Sequence, residues 1–168
     1  MTTVAHCTVQ SPVGSLLLAA TDQGLVRVAF EMEGFDVVLA ELAARVGNSV
    51  AADDPMLAAA AAQLDEYFAG TRTGFDLPLD HALSSGFRLQ VQQALPGIEY
   101  GTTLTYKELA ELVGRPTAVR AVGTACSTNP LPVVLPCHRV LRRDGSLGGY
   151  LGGLDAKRAL LELEGALG

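Results

Sequence analysis

The stretch TYKELAELVGRPTAVRAVGTAC, residues 105–126, decides how the second half of this chain folds. Thr105-Tyr106-Lys107-Glu108 has the form of a capping box, in which a threonine hydroxyl and a glutamate three residues later satisfy each other's orphan backbone N–H groups. It predicts a helix that runs through Val113 and stops at Gly114. Residues 114–117 read as a tight connection and 118–126 as a second short helix. Two short helices joined by a four-residue, glycine-containing turn form the helix-turn-helix pattern. The second helix is smooth: Ala118, Val119, Ala121, Val122 and Gly123 carry one long cation among them, Arg120. A smooth face lets a backbone sit close to a nucleic-acid groove. It equally suits alanines packed on the first helix with Arg120 in solvent, and the pattern alone leaves both readings open.

Downstream lies NPLPVVLPCHRV, residues 129–140. A thiol needs a base or a nearby positive charge to become a nucleophile at neutral pH. Cys137 has His138 beside it and Arg139 beyond. Adjacent side chains on a regular strand point to opposite faces, so the pair cooperates only if the backbone turns there or a water bridges the groups. Pro136 fits a turn. An isolated Cys-His dipeptide is otherwise a buried cysteine beside a solvated histidine. A zinc site is disfavoured, because the three histidines and three cysteines never fall into a two-and-two ligand spacing.

Upstream, residues 87–95 read as a helix stopped by Pro96, and the short polar stretch 81–86 as a linker. The first half predicts a three-stranded meander. Its strands are 3–9, 15–20 and 25–30, the last with Val26, Val28 and Phe30 on alternate positions. Ser11-Pro12-Val13-Gly14 and Asp22-Gln23-Gly24 supply the turns. Phe35, Val38, Leu39, Leu42 and Val46 mark a helix over 35–46 that ends at Gly47. Asp54-Pro55 opens another, with Leu57, Leu64 and Phe68 on its buried side and Gly70 after it. Phe75, Leu77 and Leu79 suggest a short extended segment. The expected fold is therefore an α+β lobe with a small antiparallel sheet over 1–80, the 81–86 linker, and a mainly helical lobe over 87–168.

The 168 residues are 49% hydrophobic but only 5% aromatic, without tryptophan, so aliphatic packing must supply most of the stability. Three cysteines at wide spacing, Cys7, Cys126 and Cys137, suit free thiols in a reducing compartment. No apolar run approaches a membrane span, and MTTVAHCTVQ lacks the regions of a signal peptide. A cytoplasmic protein is expected. The formal net charge of −6 argues against nucleic acid, but its distribution points the other way. Residues 1–84 hold 3 Lys/Arg against 11 Asp/Glu, and residues 85–168 hold 9 against 7. Only the second half tolerates phosphates.

Pro136-Cys137-His138-Arg139-Val140 resembles the active-site signature of the O6-alkylguanine-DNA alkyltransferases. The resemblance extends to Tyr106-Lys107-Glu108-Leu109-Ala110, Arg120-Ala121-Val122-Gly123 and Asn129-Pro130. It continues through Gly145, Gly148, Tyr150, Gly152-Gly153 and 157–165, so it is strong over 87–165 and weaker before. It implies a ribonuclease-H-like N-terminal lobe and a winged-helix C-terminal lobe. It also implies direct repair of DNA by a single-use, irreversible transfer of an alkyl group from O6-alkylguanine, and from O4-alkylthymine, to the protein's own cysteine. Cys137 would be the acceptor, His138 the base acting through a water, and Glu164 the group that orients His138. Tyr106 would hydrogen-bond guanine N3, and Asn129 would tie the recognition helix to the active-site turn. The carbonyls of Cys137 and Val140 would accept from the guanine amine, with Tyr150 and the Leu151 N–H completing the substrate pocket. Arg120 would replace the flipped nucleotide, with Ala121, Gly123 and Thr124 on the DNA side. The partner implied is double-stranded DNA carrying O6-alkylguanine, met by a monomer, with cooperative assembly on DNA left open. No cofactor and no metal are expected.

The chain departs from the family at Gln92, where a tryptophan is usual, at Glu99, where Pro is frequent, and at Leu151, where some relatives carry a hydroxyl. A non-catalytic lesion-binding protein is the alternative function; Cys137 argues against it. A Cys-His hydrolase or redox protein would leave Tyr106 and Arg120 unexplained, and a transcriptional regulator would want a sensing domain.

Overall fold

The structure, a computed structural model, describes residues 2–167. The chain divides into two compact units, Met1–Leu83 and Ser84–Gly168.

In the first unit β1 (Val4–Val9), β2 (Leu16–Thr21) and β3 (Gly24–Phe30) form the expected meander. The sheet is not purely antiparallel, however. After α1 (Phe35–Arg45), a short β4 (Ser49–Ala51) returns to pair parallel with β1, Val4 opposite Ser49 and His6 opposite Ala51, giving the order β3-β2-β1-β4. Three residues are too few for periodicity to announce a strand. The alternation expected along β3 is also absent, because every residue of β2 and β3 is buried. Helices cover the sheet. Val38 and Leu42 of α1 pack with Val4, Leu17, Ala19, Val26 and Ala29, and α2 (Pro55–Phe68) lies against β1, β2 and β3. Buried at mid-strand, Arg27 survives by donating to Glu33 at 2.7 Å and to the Val28 carbonyl.

Asp54 caps α2 by accepting from the N–H groups of Met56 and Leu57, with Pro55 in the first turn. Its buried side is Leu57, Ala60, Leu64 and Tyr67, not Phe68, which is half-exposed. Of the segment 75–79, only Leu79 makes a bridge, to Leu25. Gly24 is required there: a Cβ on it would lie 2.4 Å from the Pro78 carbonyl oxygen.

The second unit runs α3 (Gly86–Ala94), a 3₁₀ turn (Leu95–Gly97), β5 (Leu104–Thr105), α4 (Tyr106–Leu112), α5 (Val119–Ser127), a second 3₁₀ turn (Cys137–Arg139), β6 (Val140–Leu141) and α6 (Leu154–Leu163). The capping box forms as expected: Thr105 Oγ1 accepts from Glu108 N and Glu108 Oε1 from Thr105 N. α5 packs on α3 and α4 through Val122, Ala125 and Cys126. β5 and β6 pair parallel, Leu104 opposite Val140. That ladder sets the start of α4, and so Tyr106, beside the turn that carries Cys137. Among the described residues no helix is long and apolar enough to cross a membrane.

Candidate active site

The backbone turns where the chemistry requires it. Cys137 opens a 3₁₀ turn: its N–H donates to Leu135 O at 2.8 Å, and the N–H of Arg139 donates to Pro136 O at 3.1 Å. Cys137 and His138 are therefore not held on opposite faces of a strand. Asn129 fixes the approach to this turn. Its Nδ2 donates to Leu135 O at 2.8 Å and its Oδ1 accepts from Leu131 N at 3.0 Å, so the end of α5 and residues 131–136 are tied together.

Cys137 is buried, at 3% exposure, and lines a cavity of about 280 Å³. Tyr106, Gly123, Cys126, Ser127, Gly149, Tyr150 and Leu151 complete the lining. Tyr106 is held above its ordinary range, at about 12, by burial first and then by the nearby thiols. It keeps its proton and remains a hydrogen-bond donor. The loop lies close to it: a Cβ on Gly148, which has φ 71°, would come within 3.3 Å of the Tyr106 hydroxyl.

Behind the cavity lies a buried polar cluster. His138 Nε2 lies 2.7 Å from Glu164 Oε2, and Arg139 Nε lies 2.8 Å from Glu164 Oε1. Burial pulls the imidazole below its ordinary pKa; Glu164 pushes it up, while Arg139 and Lys157 pull it down. The edge of the Tyr150 ring faces His138, with centroids 6.5 Å apart. Lys157, wholly buried, donates to Val140 O at 2.7 Å, to Leu147 O, and to Gly149 O at 3.4 Å. It clasps the loop that carries Tyr150 and Leu151. Burial pulls its ammonium down to about 8, with the thiols of Cys137 and Cys126 opposing that shift.

The structure thus gathers Tyr106, Gly123, Cys137, Tyr150 and Leu151 around one cavity. It places His138, Glu164 and Asn129 in the buried support behind it. Val140 does not line the cavity, and its carbonyl already accepts from Lys157. Arg120, Ala121 and Thr124 lie on the exposed face of α5, and Gly123 lies between that face and the cavity. Cys126 and Ser127 are cavity residues that the sequence reading misses, although their spacing from Gly123 (i+3, i+4) puts all three on one helical face. It also misses Lys157 and Arg139 as supports. A lysine among Ala156, Leu160 and Leu161, the other buried residues of α6, is the available signal. Gln92, at the expected tryptophan position, is wholly buried and donates to Ala125 O at 3.1 Å. The three cysteines form no disulfide among the described residues. No group of three metal-ligating side chains occurs among them either.

Two family models match the chain: the ribonuclease-like domain of 6-O-methylguanine DNA methyltransferase over residues 4–81, and its DNA-binding domain over residues 86–166. The chain belongs to the 6-O-methylguanine DNA methyltransferase family. It is 41% identical over 157 residues to a methylated-DNA–protein-cysteine methyltransferase of Methanosarcina acetivorans, covering 94% of this chain and 96% of the relative. To a protein of the same name from Mycolicibacterium paratuberculosis it is 42% identical over 162 residues, covering 96% and 92%. Among solved structures, the Mycobacterium tuberculosis O6-methylguanine methyltransferase superposes with a TM-score of 0.82 at 37% identity, covering 98% of this chain and 94% of that one. The family's two-lobe fold is the fold described above.

Proposed function

We propose that this protein repairs alkylated DNA by transferring the alkyl group of O6-alkylguanine to Cys137, once per molecule. The observation that carries the reading is the buried Cys137 thiol in a cavity walled by Tyr106, Tyr150 and Leu151, with His138 and Glu164 directly behind it. The substrate is a base in duplex DNA, taken out of the stack. A solved complex of the Mycobacterium tuberculosis relative with DNA, at 38% identity, supports DNA as the partner. Extrusion costs a few kcal/mol. Arg120, exposed near the start of α5, is the long side chain able to fill the gap.

In the transfer, the sulfur of Cys137 attacks the alkyl carbon attached to O6. The S–C bond forms as the C–O6 bond breaks, and its electron pair leaves with guanine. The thiol proton passes to His138, whose imidazolium Glu164 stabilises. Tyr106, protonated at neutral pH, offers its hydrogen bond to the departing base. Polar donors aimed at developing charge in a dry site are worth more than in water. A thioether does not hydrolyse, so the product is inert and the reaction stoichiometric. The protein works as a cytoplasmic monomer; O4-alkylthymine is a second substrate of the same geometry.

Incubation with a duplex containing O6-methylguanine is expected to add one methyl mass to the peptide carrying Cys137. An unmodified intact mass after prolonged incubation with excess duplex would overturn the reading. Cys137→Ser is expected to abolish transfer and retain DNA binding, as a gel-shift assay reads it. A non-catalytic lesion binder would instead bind without any mass change in the wild type.

A further inference from the structure

Two cationic or titratable side chains converge on one carboxylate. Glu164 stands at the C-terminal end of α6. Arg139 grips it with a fork, Nε to Oε1 at 2.8 Å and Nη2 to Oε2 at 3.0 Å, while His138 Nε2 shares Oε2 at 2.7 Å. All three residues are buried. The third guanidinium nitrogen, Nη1, donates to Ile98 O at 2.6 Å, and the guanidinium carbon lies 5.7 Å from the Tyr100 ring centroid. Tyr100 in turn donates to Leu163 O at 3.3 Å, on the same helix end. Arg139 is therefore held from two directions.

This arrangement decides where the histidine proton sits. A guanidinium only donates, so a carboxylate gripped by its fork is ionised and only accepts. The histidine nitrogen that meets such an oxygen must carry a hydrogen. In the neutral ring the lone pair then lies on Nδ1, the nitrogen with no hydrogen-bond partner among the described residues. The guanidinium also balances the charge of Glu164 in advance. A resting imidazolium would leave the buried cluster with an excess positive charge, which burial penalises heavily.

We propose that Arg139 is a positioning residue for alkyl transfer: by forking onto Glu164 it holds His138 as a neutral, Nε2-protonated imidazole whose Nδ1 is free to take the thiol proton. The groups facing His138 act in opposite directions, with the balance against the cation. Glu164, from α6, favours the cation. Arg139, from the same turn, and Lys157, from α6, oppose it, and burial opposes it most. The Cys137 thiol adjoins it in the chain, and the Tyr150 ring edge adds no net charge. The role matters for function only if the alkyl-transfer reading holds, but its test does not depend on that reading.

The experiment is nitrogen-15 NMR of the His138 ring in the full-length protein without DNA, followed over pH, together with the rate of Cys137 modification by iodoacetamide. The wild type is expected to show a neutral ring with hydrogen on Nε2 at pH 7. A resting imidazolium, or hydrogen on Nδ1, would overturn the proposal without any variant. Arg139→Gln removes a neighbouring cation, so the His138 midpoint is expected to rise by about one pH unit or more. Cys137 modification one pH unit below that midpoint is expected to slow about tenfold, because only about a tenth of the rings are then neutral. Arg139→Lys keeps the charge without the fork and is expected to bring the midpoint back toward wild type. An unmoved midpoint in folded Arg139→Gln would overturn the proposal even if the rate fell, because it would make Arg139 a packing residue only. If Arg139→Gln does not fold, the wild-type tautomer and the Arg139→Lys midpoint still decide. Failure of alkyl transfer from DNA would leave these spectra unchanged, so the two readings fail separately.

Discussion

The two units of this chain bury different things. Among the described residues, the first unit buries only Thr21 and Arg27 as polar side chains, under a sheet otherwise filled with Leu, Val and Ala. The second, of nearly equal length, buries Gln92, Asn129, His138, Arg139, Lys157 and Glu164. Each such group costs desolvation that only good partners offset. The first unit is thus organised by apolar burial, and the second adds to an apolar core of similar extent a fixed polar framework around one thiol. The charge difference follows the same division: the acidic excess lies in residues 1–84, while the second half keeps exposed cations such as Arg88, Lys107, Arg115, Arg120, Arg142 and Arg143.

The contrast can be broken most strongly in the apolar unit. Leu42→Ala removes a side chain only 1% exposed from the core of the first unit and is expected to cost about 2–5 kcal/mol. Calorimetry should show that loss in the unfolding of the first unit. Methyl transfer by the folded fraction is expected to stay at the wild-type rate. A transfer defect in fully folded variant would end this division of labour between the units.

A smaller, pH-dependent effect belongs to the second unit. The folded pKa of His138 lies below its ordinary 6.5. Between those two values the unfolded chain holds a proton that the folded chain refuses. Stability therefore falls as pH drops below 6.5, and this contribution levels off once the folded pKa is passed. The slope is about 1.4 kcal/mol per pH unit for one proton. Denaturant melts from pH 7.5 to 5 should show it in the wild type and lose that part in His138→Gln. Identical slopes would mean that His138 is not buried in its neutral form.

The smallest expected effect sharpens the comparison from within. Gln92 donates to Ala125 O, but its buried Oε1 has no hydrogen-bond partner among the described residues. Gln92→Met gives up one hydrogen bond and removes one unsatisfied acceptor, so stability should change by no more than about 1 kcal/mol. A loss of several kcal/mol on denaturant titration would place Gln92 with Asn129 in the required framework.

What is legible in the sequence follows the range of each interaction. The capping box at Thr105, the proline start of α2 and the three-stranded meander are local, and local chemistry declares them. The Cys137 turn is legible through a motif, and Tyr106, Tyr150 and Leu151 are placed with it by resemblance. What escapes is contact between distant segments. β4 is specified by its partner β1, not by its own three residues. The Arg139 fork needs Glu164, 25 residues away, and the Lys157 clasp needs three carbonyls, one from β6 and two from the loop that follows it. Tyr67 displaces Phe68 from the buried side of α2 because the helix meets the sheet through positions 57, 60, 64 and 67, so the expected stripe holds at Leu57 and Leu64 and shifts by one residue only at its end.

The parallel pairing of β1 with β4 also has a kinetic side. The hairpins of β1, β2 and β3 close with turns of a few residues and can form from Val4–Phe30 alone. The outer side of β1 cannot be covered then, since Ser49–Ala51 and the α1 crossover lie further along the chain. Until they arrive, Val4, Ala5 and His6 present a bare hydrogen-bonding edge, the feature through which nascent chains mispair. Completion of this sheet waits on a contact some 45 residues apart in sequence, whose loop-closure cost has to be met before the edge is sealed.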